Sequence, residues 1–217
     1  MEDKLQTEFA LLQKQIDGKA ANASCPNPAQ TDELRQHFLD RHNELRSSLA
    51  KGETEKNGEK GIAPPAKLMY TLEYDCDAES YAQQHANTCD EEVLPQSGRP
   101  GYKENIFSYK DNSGTPKQAA DAAMTDWWGQ LANEGIRTDM LFSQDVRSRT
   151  SNFVTKWTKM AWSSNKKLGC AVHKCKSFQY VVCMYSPGGN DVGSHVYDVG
   201  AVCSGCSGNC TEGLCDA

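Results

Sequence analysis

Residues 178–190 of the chain read FQYVVCMYSPGGN. The run 178–185 is rich in β-branched and aromatic residues, and the Pro-Gly-Gly-Asn segment at 187–190 ends it, so we predict a strand followed by a turn. A second β-rich run at 168–174 precedes it, and residues 175–177 are short enough to join the two as a hairpin. This part of the chain therefore predicts a small antiparallel sheet.

Helical periodicity dominates the residues before this sheet. A helix start is predicted at Thr115, Pro116 and Gln118. The Thr side chain can cap the first turn, the fixed φ of Pro suits the first helical position, and the Gln side chain can accept from the Thr115 N–H in a capping box. The apolar spacing predicts helices at 31–49, 75–88, 115–131 and 150–163. Long loops are expected at 51–66 and 90–117. Helices followed by a small sheet predict an α+β fold, arranged as a three-layer αβα sandwich.

Three segments are expected along the chain. Residues 1–24 form an N-terminal amphipathic extension or linker, with an apolar stripe at Leu5, Phe9, Leu12 and Ile16. Residues 25–190 form the main domain, and residues 191–217 form a Cys-rich extension that is either an independent module or a strap across the domain. The acidic start lacks the apolar region of a signal peptide, so we expect a mature form.

Cysteine usage indicates an oxidising compartment. The ten cysteines are an even number, so all can pair as disulfides. They are Cys25, Cys76, Cys89, Cys170, Cys175, Cys183, Cys203, Cys206, Cys210 and Cys215. The last four also permit a zinc knot, although the paired knuckles typical of zinc sites are not visible. The sequence does not give the connectivity, because ten cysteines allow about 945 pairings.

Charge and hydropathy argue against nucleic-acid binding and against a transmembrane helix. The net charge of −6 argues against nucleic-acid binding, which needs clustered Lys and Arg. No apolar run approaches the roughly 20 residues of a transmembrane helix. Two Asn-x-Ser/Thr sequons occur, at Asn22 and Asn209. Each would allow glycosylation outside the cell, and the alternative interpretation is that so short a pattern occurs by chance.

Four motifs in order resemble the CAP superfamily, the cysteine-rich secretory, antigen 5 and pathogenesis-related 1 proteins. They are HNELR at 42–46, KENI at 103–106, TKWTKMAW at 155–162 and VVCMYSPGGN at 181–190. Their motif residues are His42, Asn43, Arg46, Asn105, Trp162, Cys183, Tyr185, Pro187 and Asn190. The match runs from Cys25 to Asn190. The tail and the acidic loop resemble the activation-associated secreted proteins of parasitic nematodes in particular.

The resemblance implies a large cleft that holds two His and two acidic side chains able to bind zinc. Glu104 matches one of the acidic residues, whereas Gln130 stands at the position of the other. Lys156 stands at the position of one His, and the second His position falls near Gln96. Of the four zinc-ligand positions that the resemblance implies, only that of Glu104 therefore carries the residue type expected of the family.

These departures predict a cleft that binds no metal and needs no cofactor, because Lys and Gln are poor zinc ligands. We expect Glu104 to form an ion pair with Lys156 in place of the metal. His85 and His173 are interpreted as surface or packing histidines rather than relocated ligands.

Enzymatic chemistry is not indicated, because no G-x-S-x-G or H-E-x-x-H motif is present and the cysteines are assigned to disulfides. We therefore expect a non-enzymatic binding protein, with a hydrolase as the less favoured interpretation. The resemblance implies a secreted parasite protein that acts at the host interface, as an antigen or an immunomodulator, on an unknown host protein or receptor. We expect a monomer or weak homodimer.

A sterol- or fatty-acid-binding protein is the alternative function. Tyr102, Ile106, Phe107 and Tyr109 lie beside Glu104 in sequence and could line an apolar slot. Ordinary packing of the same side chains is the other interpretation.

Overall fold

The computed structural model describes residues 23–217. The helical stripe at 1–19 and the sequon at Asn22 lie outside these residues. Within the described part, no helix combines the length and the apolar character needed to cross a membrane.

Five α-helices occur in the described residues. They are α1 (Asp32–Lys51), α2 (Cys76–Ala86), α3 (Pro116–Glu134), α4 (Gln144–Arg147) and α5 (Thr155–Ala161), with short 3-10 helices at Gly58–Lys60 and Gln96–Gly98. The predicted capping box of α3 is confirmed: Thr115 accepts from the Gln118 N–H, and the Gln118 side chain accepts from the Thr115 N–H. Helix α5 begins later than predicted. Gln130 of α3 accepts from its first-turn amides, and a local pattern cannot show that contact.

The described strands form two sheets. They are β1 (Glu73–Tyr74), β2 (Lys103–Tyr109), β3 (Lys167–Lys174), β4 (Gln179–Ser186), β5 (Cys210–Thr211) and β6 (Leu214–Cys215). The main sheet has the order β1-β3-β4-β2, and β5 pairs with β6. The predicted β3–β4 hairpin is confirmed. The main sheet is not wholly antiparallel, because β1 adds to β3 in parallel.

Strand β2 corrects the prediction of a loop over 90–117. It pairs antiparallel with β4 along its whole length, from Lys103 opposite Tyr185 to Tyr109 opposite Gln179. Its first residues are Lys, Glu and Asn, which are depleted in strands, so local composition concealed it.

The three-layer αβα arrangement is confirmed by the two faces of the main sheet. Ala78, Ala82 and Ala86 of α2 pack on one face, against Tyr180 and other residues of β4. The opposite face belongs to the larger core with α1, α3 and α5. Alternation along the strands sends neighbouring side chains into different layers.

All ten cysteines form disulfides, as predicted. The pairs are Cys25–Cys76, Cys89–Cys175, Cys170–Cys183, Cys203–Cys210 and Cys206–Cys215. The zinc interpretation of the last four cysteines is therefore wrong. Among the described residues, the potential metal-ligand group found is Cys203, Cys206 and Cys210, whose sulfurs are all oxidised.

The C-terminal tail packs onto the domain as a strap. The Cys215 N–H donates to the Met69 carbonyl at 2.8 Å, and the Cys215 carbonyl accepts from the Thr71 N–H at 2.9 Å. Tyr197 and Leu214 are buried in the larger core. The boundary at residue 190 remains a prediction, but residues 191–217 share the core of the residues before them.

Candidate functional site

The His of the first motif is a buried structural residue. His42 Nδ1 lies 2.8 Å from the Phe38 carbonyl and must donate to it, so Nε2 accepts from the Tyr185 hydroxyl at 2.9 Å. Burial lowers the pKa of His42 to about 4, because the interior disfavours the charged ring. His42 is thus a neutral bridge between α1 and β4.

Asn43 and Arg46 bind backbone from distant parts of the chain. Asn43 exchanges two hydrogen bonds with the backbone of Leu72. The guanidinium of Arg46 is fully buried and donates to carbonyls. These belong to Tyr70, Met160, Trp162, Ser163 and Asn165. Burial lowers the pKa of Arg46 to about 9, and no carboxylate among the described residues pairs with it.

Two asparagines of the other motifs hold the start of α5. Asn105 of β2 donates to the Lys156 carbonyl at 2.9 Å, and Asn190 donates to the Thr155 carbonyl at the same distance. Trp162, which follows α5, is buried against Phe142. The motif residues therefore position α5 against the sheet.

The four expected cleft positions lie on different elements. Glu104 is on β2, Gln130 on α3 and Lys156 on α5, while Gln96 is in the second 3-10 helix. Gln96 is exposed; its Nε2 donates to the carbonyls of Arg99 and Tyr102, and its Oε1 accepts from the Arg99 guanidinium.

The Glu104 carboxylate is buried, and both of its oxygens have hydrogen-bond or ion-pair partners. Its side chain is inaccessible to solvent. Oε2 lies 2.7 Å from His85 Nδ1, while Oε1 accepts from the Leu94 N–H and lies 3.4 Å from Arg99 Nε. We call Glu104, His85, Asp90 and Arg99 the Glu104 network.

His85 connects two carboxylates. Its Nε2 lies 3.2 Å from Asp90 Oδ1, on the other side of the ring from Glu104. Burial opposes the charge on His85, but its hydrogen bonds and the nearby charges of Glu104 and Asp90 outweigh that effect and raise its pKa above the ordinary value.

The interpretation of His85 as a surface or packing histidine missed its role in the Glu104 network. Its position on the apolar face of the predicted helix 75–88 was the available signal, because a buried ring nitrogen needs a partner. His173 of β3 is half-buried and forms no ion pair with any residue between 23 and 217.

The predicted ion pair between Glu104 and Lys156 is wrong. Among the described residues, the ion-pair partners of Glu104 are His85 and Arg99. Lys159, one turn along α5 from Lys156, instead donates its Nζ to the backbone carbonyl of Glu104. Residues three apart share a helix face, so the spacing allowed either lysine to approach Glu104.

Lys159 is the most perturbed base of this region. Burial lowers the pKa of its amino group to about 7. Glu104 opposes this shift, whereas the positive charges of Arg99, Lys156 and Arg147 reinforce it. Burial also lowers the pKa of Lys156, and Asp126 of α3 partly opposes that shift. Sequence analysis did not identify Lys159, Arg99 or Arg147.

The donor set around Glu104 does not fit zinc. Zinc needs thiolate, imidazole or carboxylate groups with free lone pairs. Glu104 and His85 bind each other, and Gln130 Oε1 accepts from the Lys156 and Trp157 amides. Lys156 and Lys159 add positive charge that repels a cation.

The proposed aromatic slot is not formed by one face of β2. Tyr102 and Ile106 pack with the α2 layer, whereas Phe107 and Tyr109 pack with the larger core. Alternation along β2 separates them. Another apolar cavity, of about 320 Å³, lies between the first turns of α1 and α3, where Leu34, Pro116 and Val172 line it and His37 and Lys117 supply polar groups.

Comparisons with known proteins agree with this architecture. The CAP family model, described as the cysteine-rich secretory protein family, matches residues 39–185. The Ancylostoma secreted protein of Ancylostoma caninum is 38% identical over 215 residues, which are 97% of this chain and 50% of that protein. This chain therefore spans half the length of that relative.

Two further relatives are covered more completely. Hookworm platelet inhibitor 1 of Ancylostoma caninum is 30% identical over 187 residues, 85% of this chain and 79% of that protein. A crystal structure of NaASP2 with Zn2+ is 38% identical and superposes with a TM-score of 0.83, covering 88% of this chain and 100% of the other. The motif resemblance is confirmed, and the chain belongs to the cysteine-rich secretory protein, or CAP, family.

Proposed function

We propose that this chain is a secreted, non-enzymatic binding protein that acts at a parasite–host interface as an antigen or immunomodulator. The names of its relatives, a secreted protein and a platelet inhibitor of Ancylostoma caninum, support secretion and action on a host. Five disulfides suit an extracellular protein. Asn209, which is exposed, is the proposed glycosylation site within the described residues.

The enclosed carboxylate of Glu104 is the observation that carries the non-enzymatic part of this proposal. A general acid or base must reach the reacting atom, but Glu104 and His85 are both buried and engaged with each other. Within residues 23–217, no hydrogen bond joins a serine hydroxyl to a histidine ring, and all cysteines are oxidised. Binding, rather than turnover, is the activity that this arrangement supports.

A zinc titration tests the metal part of the proposal. NaASP2 was crystallised with Zn2+, so the same ion is the relevant probe. We expect micromolar zinc to leave the Tm unchanged, because a ligand that binds the native state would raise it. A zinc-dependent rise in Tm that disappears in Glu104→Ala would contradict the proposal.

A capture experiment tests the host partner. We expect the disulfide-intact chain to retain one host protein saturably from serum or leukocyte membranes. Val93, which is 60% exposed in the loop before β2, is a suitable site to perturb. Val93→Ser should weaken capture, and Val192→Ser, outside that loop, is the matched control. Equal loss in both variants, or no saturable capture, would contradict recognition through this loop.

Fatty-acid binding is the second candidate function, supported by the cavity between α1 and α3. Its apolar lining suits an acyl chain, and Lys117, which also lines the cavity, can pair with a carboxylate. We expect saturable binding of radiolabelled palmitate that Leu34→Arg abolishes and Lys117→Ala weakens. Lys110→Ala is the matched control. Stronger binding of cholesterol than of palmitate would favour the sterol alternative, and no saturable binding of either would exclude this function.

A further inference from the structure

The four cysteines of the C-terminal tail lie close together. The sulfurs of Cys203, Cys206 and Cys210 are all within 4.8 Å of one another, and the Cys215 sulfur is bonded to that of Cys206. The two tail disulfides, Cys203–Cys210 and Cys206–Cys215, are therefore neighbours. We call these four residues the tail cysteine cluster. Because a thiolate breaks a disulfide by attacking one of its sulfurs directly, disulfides this close can exchange partners.

The backbone of the tail accommodates a second pairing of the same cysteines. The Cys206 N–H donates to the Cys203 carbonyl at 3.1 Å, which is the hydrogen bond of a β-turn, and the ends of such a turn have Cα atoms less than about 7 Å apart. Cys210 and Cys215 are directly opposite each other in the β5–β6 pair, where facing Cα atoms are about 4.5–5.5 Å apart. A disulfide spans Cα separations of about 4.4–6.8 Å. Both Cys203–Cys206 and Cys210–Cys215 are therefore compatible with this backbone.

Solvent access differs among the four cysteines. Cys210 is exposed, Cys203 and Cys206 are half-buried, and Cys215 is buried. Exchange with a thiol from solution requires access to a disulfide sulfur, so Cys210 is the position at which an external thiolate can attack. The exchange therefore begins at the Cys203–Cys210 disulfide rather than at Cys206–Cys215.

We propose that the tail cysteine cluster is a thiol–disulfide exchange site, which accepts the thiolate of a small external thiol and converts the described pairing into the second one. The external thiolate attacks the Cys210 sulfur, forms a mixed disulfide there and releases the Cys203 thiolate. The Cys203 thiolate attacks the Cys206 sulfur and releases the Cys215 thiolate. Cys215 then attacks the mixed disulfide at Cys210 and releases the external thiolate. Every sulfur–sulfur bond that breaks is replaced by one that forms, so there is no net oxidation or reduction and the external thiol is regenerated.

The exchange changes which segments the tail disulfides join. In the described pairing, Cys206–Cys215 ties the turn at 203–206 to β6, which packs on the domain. In the second pairing no disulfide joins this turn to β6, and the turn keeps the hydrogen bond from the Gly205 N–H to the Lys67 carbonyl at 2.9 Å. This site goes beyond the proposed function and does not depend on the identity of a host partner.

Thiol labelling of Cys203→Ser tests the proposal. The variant leaves the Cys210 thiol without its partner, and attack of this thiol on Cys215 across the β5–β6 pair frees Cys206 instead. After equilibration at mildly alkaline pH, the free thiol is blocked with N-ethylmaleimide in denaturant at acidic pH, where protonated thiols exchange slowly. Tandem mass spectrometry locates the label. We expect label on both cysteines, with Cys206 carrying at least about a tenth of the amount on Cys210, which corresponds to pairings within about 1.4 kcal/mol of each other. Label on Cys210 alone would overturn the proposal.

Cys25→Ser is the matched control. It leaves the exposed Cys76 without its partner. Among residues 23–217, the sulfurs that lie in a group of three within 4.8 Å belong to the tail cysteine cluster, so the Cys76 thiol has no neighbouring disulfide to attack. We expect label on Cys76 alone. Label spread over several cysteines in this control would show general scrambling and would remove the special role of the tail.

The unchanged chain provides a second test, which does not require a variant to fold. The chain is incubated with reduced glutathione, blocked as above and digested after Glu212, and the disulfide-linked tail fragment is analysed by tandem mass spectrometry. A backbone break at 207–209 separates two fragments only in the second pairing, because Cys203–Cys210 bridges that break in the described one. We expect the separated fragments to appear with glutathione and to be absent without it. Their absence in both samples would contradict the exchange.

Discussion

Arg46 and Lys159 are both cations without a carboxylate partner at hydrogen-bond distance in the described residues, but their surroundings differ. Arg46 is fully buried, and its guanidinium donates to five backbone carbonyls. Lys159 is half-buried, and its amino group donates to one carbonyl. Arg46 is therefore a structural cross-link, whereas Lys159 makes one hydrogen bond within the described residues and leaves its other donors unused. The comparison shows that a buried cation without a carboxylate partner is accommodated when backbone carbonyls accept from all of its donors.

Replacing Arg46 should have the largest effect. Arg46→Met leaves several buried carbonyls without donors, so we expect the free energy of unfolding to fall by about 4 kcal/mol or more. Urea unfolding with the disulfides intact measures it. Arg41→Met on the exposed side of α1 should change the free energy of unfolding by less than about 0.5 kcal/mol. Similar losses in both variants would remove the structural role assigned to Arg46.

His85 should give the next largest effect. His85→Leu leaves the buried Glu104 carboxylate with Arg99 as its charged partner, and we expect a loss of about 3 kcal/mol in the free energy of unfolding. Adding Glu104→Gln should recover part of this loss, giving a coupling energy of about 1–2 kcal/mol in a double-mutant cycle. Additive effects would show that the two side chains do not stabilise each other.

The pH dependence of stability should distinguish Lys159 from His85. The folded pKa of Lys159 is lowered to about 7, so the unfolded chain binds more protons between pH 7 and its ordinary pKa. The contribution of Lys159 to stability should therefore rise across this range. Urea unfolding at several pH values should show a steeper rise for the unchanged chain than for Lys159→Met. Parallel curves would contradict the lowered pKa.

His85 should act in the opposite direction. Its folded pKa is raised, so its stabilising contribution is present below the unfolded pKa and is lost as the pH rises through the folded value. The difference in the free energy of unfolding between the unchanged chain and His85→Leu should shrink over that interval. A constant difference would show that the charge of His85 does not contribute.

Lys103 should give the smallest effect. It donates to the Gly189 carbonyl and lies 2.7 Å from Asp191, but both charged groups are partly exposed. Lys103→Ala should therefore reduce the free energy of unfolding by about 0.5–1 kcal/mol. A loss comparable with that of His85→Leu would show that the contacts of Lys103 with the segment after β4 stabilise the fold more than their exposure indicates.

The sequence predicted the helix starts and the β3–β4 hairpin because residues adjacent in sequence determine these features. The capping residues Thr31 and Thr115 begin their helices as expected, and the hairpin after residue 174 separates two runs of strand-forming residues. Strand β2 was missed because its pairing with β4 overrides the weak strand preference of Lys103 and Glu104.

The candidate site was less predictable because it depends on distant contacts. Glu104 was identified from its motif, but its partner His85 lies 19 residues away, at the end of α2. Lys156 was placed correctly on α5, yet Lys159 makes the contact to Glu104. The rotation of α5 selects between these lysines, and that rotation is fixed by Gln130, Asn105 and Asn190.

The disulfide pattern determines what a single backbone cut would release. The loop at 52–57 lies between Cys25 and Cys76, and the loop at 90–95 lies between Cys89 and Cys175. A protease that cleaves either loop once would leave two pieces still joined covalently. These loops can therefore be nicked in a protease-rich environment without dissociation of the fragments.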